Sequence, residues 1–176
     1  MPFKNNLFDY TFCFGVLQHT PNIERTLIEL IQKTKKGGSI VVDFYPHKGF
    51  WTKLSAKYFL RPFTKRMSKK FLLIIIQIFA PFFYRVHLIL KFLGLSILTR
   101  FLPICDPNTI PKVIKQNQKM EWIILDTFDM FSAYYDQPQK ISKIEKIFLK
   151  NKCKIKFAGY VNYEYGISAV VRAEKL

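Results

Sequence analysis

The chain has 176 residues, 49% of them hydrophobic and 23% charged, which fits one globular domain and excludes a disordered chain. Three scattered cysteines, Cys13, Cys105 and Cys153, argue against a disulfide framework or a zinc site and point to a reducing compartment. The formal charge of +16 calls for an anionic partner, a coding bias toward lysine, or both.

Lysine outnumbers arginine by 22 to 6, as an AT-rich coding sequence gives. That bias does not remove acids from one segment, yet His47 to Arg100 holds eleven Lys or Arg and no Asp or Glu. Interleaving with aliphatic and aromatic residues favours an anionic membrane surface. No RRM, KH or zinc-finger pattern is present, so nucleic acid is not an expected partner. Met1 to Tyr10 lacks the pattern of a signal peptide, and the expected location is cytoplasmic, peripheral at the membrane.

Phe8 to Phe14 (FDYTFCF) is rich in aromatic and β-branched residues and reads as a buried strand. Gly15 and the Thr20-Pro21-Asn22 cluster form a loop, in which Thr20 or Asn22 can cap the next helix. Ile23, Leu27, Leu30 and Ile31 recur at helical spacing, with Glu24, Arg25, Glu29 and Lys33 outside. Lys35-Lys36-Gly37-Gly38 is expected to end that helix, giving Ile23–Lys36, and Ser39 to Tyr45 is the next strand. Strand, helix and strand in this span make a right-handed βαβ unit with parallel strands.

Residues 46–120 form a different, basic and hydrophobic helical region. Helical pieces from Phe50 to Lys70 are expected to break at Pro62. Phe71 to Tyr84 and Val86 to Leu98 are strongly apolar, but each falls short of a membrane span, and Pro81, Arg85, His87 and Lys91 interrupt them. The readings open here are a helical insert lying on a membrane, a transmembrane span, and a helical subdomain packed on the core. Trp122 to Met130 begins as an apolar run. A helix with inner face Ile141, Ile144, Ile147 and Phe148 follows, expected over Ile141–Asn151. Lys154 to Tyr163 and Gly166 to Ala173 then read as strands. The short Glu164-Tyr165-Gly166 link makes them an antiparallel pair.

The stretches PFKNNLFDYTFCFGVLQHT and LIELIQKTKKGGSIVVDFY resemble the fourth strand, following helix and fifth strand of class I S-adenosylmethionine (SAM)-dependent methyltransferases of the small-molecule and lipid-acceptor type. ISKIEKIFLKNKCKIKFAGY resembles that family's last helix and sixth strand, and the tail its seventh. LDTFDMFSAYYDQPQ resembles a subgroup carrying an insert. The resemblance implies an α/β fold: a partial Rossmann-like sheet in the order 4-5-7-6, its last strand antiparallel, with a large helical insert. Residues 1–45 and 121–176 would form the methyltransferase core and 46–120 the insert.

The family's glycine-rich SAM loop and acidic ribose ligand have no counterpart here. The close glycine pair is Gly37-Gly38, elsewhere in the order. The resemblance therefore implies the second half of such a domain, from a truncated, split or differently started gene. It also implies little SAM affinity for these residues alone. The expected partners are a separately encoded N-terminal half or a second copy, because the edge of Phe8–Phe14 would otherwise lie bare.

Within the resemblance Phe14, Gly15, Val16 and Leu17 match positions near the cofactor's methionine arm, and Gln18 and His19 match positions facing the acceptor. Methyl transfer is an in-line displacement at a sulfonium carbon, needing alignment and, for some acceptors, a base. His19 suits the base by its pKa, and a loop histidine bonded to backbone is the other reading. Asp126, Asp129 and Asp136, with Tyr134 and Tyr135, are candidates to line the acceptor pocket, against capping and lysine pairing as the plainer account. Their spacing is not that of an EF-hand, and no metal is assigned. Two functions follow: methyl transfer to a small, lipid-like or glycan-linked acceptor, or a non-catalytic membrane-associated interaction protein descended from such an enzyme.

Overall fold

The computed structural model describes residues 2–47, 49–163 and 166–176. It divides into two compact units, Met1–Lys48 with Tyr135–Leu176, and Gly49–Tyr134. The second therefore runs on past residue 120, because the helix Lys119–Ser132 packs with the insert helices.

The first unit is an α/β layer. Its sheet is built from β1 (Phe8–Cys13), β2 (Thr34–Phe44), β3 (Cys153–Tyr163) and β4 (Gly166–Lys175), in the order β1-β2-β4-β3. β1 and β2 are parallel, as the βαβ reading requires, and β4 is antiparallel to both neighbours. The β3–β4 pairing closes at Tyr163 opposite Gly166, and the link residues Glu164 and Tyr165 lie outside the described residues.

Helix α1 (Ile23–Lys33) starts at Asn22, whose Oδ1 accepts from Arg25 N at 2.9 Å and satisfies one of the helix's free N–H groups. Its apolar stripe, Ile23, Leu27, Leu30 and Ile31, is buried. Helix α6 (Ile141–Lys150) contributes Ile144, Ile147 and Phe148 to the same core. Both stripes meet Ile40, Val42 and Phe44 of β2 and the cross-strand Ala169, Val171 and Ala173 of β4, so both helices cover one face.

Three expectations change here. The helix stops at Lys33, and Lys35 to Gly38 belong to β2. Phe8 pairs with Thr34 and Tyr10 with Ser39, so the extra β2 residues bulge out. Gly37 (φ 75°) supplies the left-handed turn, and a Cβ on Gly38 would lie 2.9 Å from Asp9 O. Lys33, expected outside, is buried, and its Nζ donates to Asn5 Oδ1 at 2.7 Å. Finally, β1 is not a buried strand. It is the terminal strand of the sheet, with Tyr10 69% and Phe12 60% exposed. Phe12 lies opposite Val41, on the face that α1 and α6 do not cover.

The second unit is helical: α2 (Phe50–Lys53), α3 (Ala56–Thr64), α4 (Lys69–Phe92) and α5 (Lys119–Ser132). Leu72, Ile76 and Ala80 of α4 form its core with Ile123 and Phe131 of α5 and with Ile104, Cys105 and Ile110. α3 runs through Pro62, and the two apolar stretches expected to be separate are one helix that continues through Pro81. A proline costs one hydrogen bond, and the long apolar flanks on both sides keep the helix going. By length and composition α4 can cross a membrane. Arg61 is buried, and its Nη1 and Nη2 donate to Met130 O at 2.6 Å and Ala133 O at 2.8 Å. Thr64 Oγ1 donates to Phe131 O at 3.1 Å, and Lys69 Nζ donates to Ser132 O. One stretch of α3–α4 thus satisfies the free carbonyls at the C-terminus of α5.

Candidate functional site

In an open α/β sheet, ligands approach the carboxyl ends of the parallel strands. Here that end carries two turns, Phe14–Thr20 after β1 and Tyr45–His47 after β2. Gly15 has φ 67° and no atom within 4 Å of a built Cβ, so the backbone there is open. Its N–H donates to Asp43 Oδ1 at 2.6 Å, and Asp43 Oδ2 accepts from Ser168 Oγ at 3.3 Å. Asp43 escaped the sequence reading. The signal for it was a lone carboxylate ending an otherwise apolar strand.

A segment before α6 straps both turns. Gln137 N donates to Gln18 O at 2.9 Å, and Gln137 Nε2 donates to Thr20 O at 2.7 Å. Gln139 N donates to Tyr45 O and His47 N to Gln139 O, each at 2.9 Å. Nothing in the sequence marked the Asp-Gln-Pro-Gln run that makes these bonds as a strap.

The expected site residues separate by environment. Phe14 and Val16 are exposed beside Gly15. Leu17 begins a 3-10 turn, Leu17–His19, and its side chain is fully buried in the core with Leu27 and Phe44. Gln18 is also fully buried, and neither Oε1 nor Nε2 has a hydrogen-bond partner. An amide buried without partners costs stability.

His19 Nδ1 lies 2.9 Å from Tyr135 O. A carbonyl only accepts, so Nδ1 is the donor in this bond. This is the backbone-bonded arrangement of a loop histidine, with the ring oriented by the residue that precedes the strap. Tyr45 meets it edge-on at 5.8 Å between centroids. Below the turn, burial and the nearby Asp43 charge push the Cys13 thiol up, which keeps it unreactive.

Asp126, Asp129 and Tyr134 belong to the helical unit. Burial raises the Asp126 carboxyl above its ordinary range, partly offset by a hydrogen bond from Cys105. The Cys105 thiol is in turn pushed up to about 12 by burial, with Asp126 adding to the shift. Asp126 is therefore half-buried against a thiol, with the Lys57 charge near enough to favour its ionised form. Asp129 is exposed on α5, and Tyr134 is exposed with Lys65 Nζ 5.2 Å from its ring centroid. Among the described residues, no three His, Cys, Asp or Glu side chains gather as a metal site.

Residues 1–42 match the family model described as a methyltransferase domain. A search of the curated proteins finds no match for the chain. The matched stretch holds β1, the Phe14–Thr20 turn, α1 and most of β2. Methyltransferase domains of that family generally use SAM, and the match supports this kind of domain for the first α/β segment.

Proposed function

We propose that the α/β unit forms part of a SAM-dependent methyltransferase site acting on a small, lipid-like or glycan-linked acceptor. The observation that carries this is the family match over residues 1–42, falling on a parallel β1–α1–β2 unit with an open glycine turn at its carboxyl end. In the family's strand numbers β1-β2-β4-β3 reads 4-5-7-6. Phe14, Gly15 and Val16 would line the cofactor's methionine arm, the open backbone at Gly15 allowing close approach. Gln18 and the Nε2 of His19 would face the acceptor, Gln18 to hydrogen-bond it and His19 to accept its proton. SAM, when bound, supplies the electrophilic methyl group.

The rest of such a site, a glycine-rich loop and an acidic ribose ligand, is not among these 176 residues. In this reading it comes from sequence outside them, continuous with this chain or on another polypeptide, laid along the outer edge of β1. The test is ultraviolet cross-linking of methyl-tritiated SAM to the native protein in its own cell extract, followed by trypsin. Label should appear in the peptide from Asn5 to Arg25, which has no internal Lys or Arg, and unlabelled SAM should displace it. No displaceable label in that peptide overturns the reading.

A further inference from the structure

Helix α4 has two opposite faces. At roughly 100° per residue, Leu72, Ile76 and Ala80 point together, and they are buried against α5. Phe71, Ile74, Ile78, Phe82, Ile89 and Phe92 fall on the other side, and all are exposed, Ile78 by 64% and Phe82 by 57%. The stripe runs the whole helix, roughly 36 Å at 1.5 Å per residue. The chain after it stays apolar and exposed at Leu93, Ile97 and Leu98. A continuous patch of this size marks an interaction surface.

Charge selects the occupant. Gly49–Tyr134 contains thirteen Lys or Arg against four Asp or Glu. Three of those acids, Glu121, Asp126 and Asp129, are on α5, which packs on the side of α4 away from the stripe. Arg66 and Lys70 are exposed at the start of α4, and Arg85 is exposed within the stripe itself. A protein partner covering the stripe would have to bury Arg85 and supply a charge for it. A bilayer interface does not, because arginine snorkels to lipid phosphates while its stem stays among the acyl chains. Next to the stripe an apolar cavity of about 230 Å3 lies against Ile75, Phe79 and Phe83, and reaches the surface where Phe79 and Leu60 are exposed.

Spanning is disfavoured by the same packing. A transmembrane α4 would draw α5 and its three carboxylates to bilayer depth, at a cost for each.

We propose that the helical unit docks α4 flat on an anionic phospholipid bilayer, the Phe71–Phe92 stripe immersed and Arg66, Lys70 and Arg85 at the headgroups. Arg61 is not among these cations, because it is buried against the C-terminal carbonyls of α5. The proposal is independent of methyl transfer.

The test is flotation of the full chain with phosphatidylcholine vesicles, with and without phosphatidylserine. The protein should float with the anionic vesicles at low salt, be largely released at high salt, and be washed off by alkaline carbonate. Ile78→Asp with Phe82→Asp, both on exposed positions, should weaken vesicle binding at least about tenfold while leaving the circular-dichroism melt unchanged. Arg85→Glu should weaken binding to anionic vesicles alone. Equal capture by neutral vesicles, resistance to carbonate, absence of vesicle binding, or wild-type binding by the folded double variant would each overturn it.

Discussion

Gly15 donates its backbone N–H to Asp43 Oδ1 at 2.6 Å, and that one bond joins the turn after β1 to the carboxyl end of β2. The turn's shape depends on Gly15 at φ 67°, a conformation in which any Cβ is strained even though nothing stands within 4 Å. Gly15→Ala should therefore cost about 1 kcal/mol through backbone conformation alone. Gly15→Asn should cost less, because asparagine tolerates left-handed backbone. Urea unfolding of the three proteins checks the order, and an alanine variant as stable as wild type would mean that the turn does not need this conformation.

Arg61 holds two carbonyls at the end of α5 from a buried position. Arg61→Met keeps much of the packing but leaves Met130 O and Ala133 O without these donors. A loss of about 2–4 kcal/mol is expected from two charge-assisted bonds. Lys70→Ala, at an exposed position nearby, should stay within about 0.5 kcal/mol of wild type. Denaturant midpoints for both variants decide this, and equal midpoints would show that Arg61 contributes nothing beyond its stem.

Burial raises the Asp126 carboxyl, so the folded protein holds that proton more tightly than the unfolded chain does. The proton's contribution to stability is fully present below the unfolded value near 3.8 and is lost as pH rises through the folded pKa. Asp126→Asn removes the charge at every pH. The variant should melt higher than wild type at pH 7, with the difference shrinking toward zero as the pH falls below that unfolded value. A gap that persists in acid would trace the effect to packing rather than ionisation.

The buried, unpartnered amide of Gln18 gives a prediction of opposite sign to most core substitutions. Gln18→Met keeps the length and removes both orphan atoms, so stability should rise by about 1–3 kcal/mol. Under the proposed function the same change lowers methyl transfer. A destabilised variant would indicate that the amide is satisfied in solution.

The β1–α1–β2 order was legible because its periods are clean: Leu27, Leu30 and Ile31 on one helical stripe, and Ile40, Val42 and Phe44 alternating along a strand. The exposure of Tyr10 and Phe12 was not, because a strand's composition does not say which of its faces helices will cover. Local rules also misjudged the prolines. Pro62 and Pro81 read as breaks, yet tertiary packing of Leu72, Ile76 and Ala80 carries α4 as one helix. The sequence marked a loop from Gly15 but did not say which of its side chains face inward. Leu17 and Gln18 are turned inward and Val16 outward around a 3-10 turn, and that direction is a property of the fold.

β1 ends the sheet with aromatic side chains standing on the face that α1 and α6 leave uncovered. Its outer N–H and C=O groups offer a template for another strand. Tyr10, Phe12 and Phe14 add apolar area, each worth roughly 1.5–3 kcal/mol if fully buried. The purified 176-residue chain should therefore self-associate in a concentration-dependent way, seen by sedimentation velocity. A charge placed on this strand opposes pairing, because a second β1 would bring like charges together and require their desolvation. Tyr10→Lys with Phe12→Lys should shift the chain toward monomer, and because both positions are exposed the melting temperature should hold. Lys4→Glu, outside the strand, serves as a charge-change control and should leave the association as it is. A wild-type chain that stays monomeric at all concentrations, or a double variant that associates as before, would show that this edge is not where the chain meets its partner.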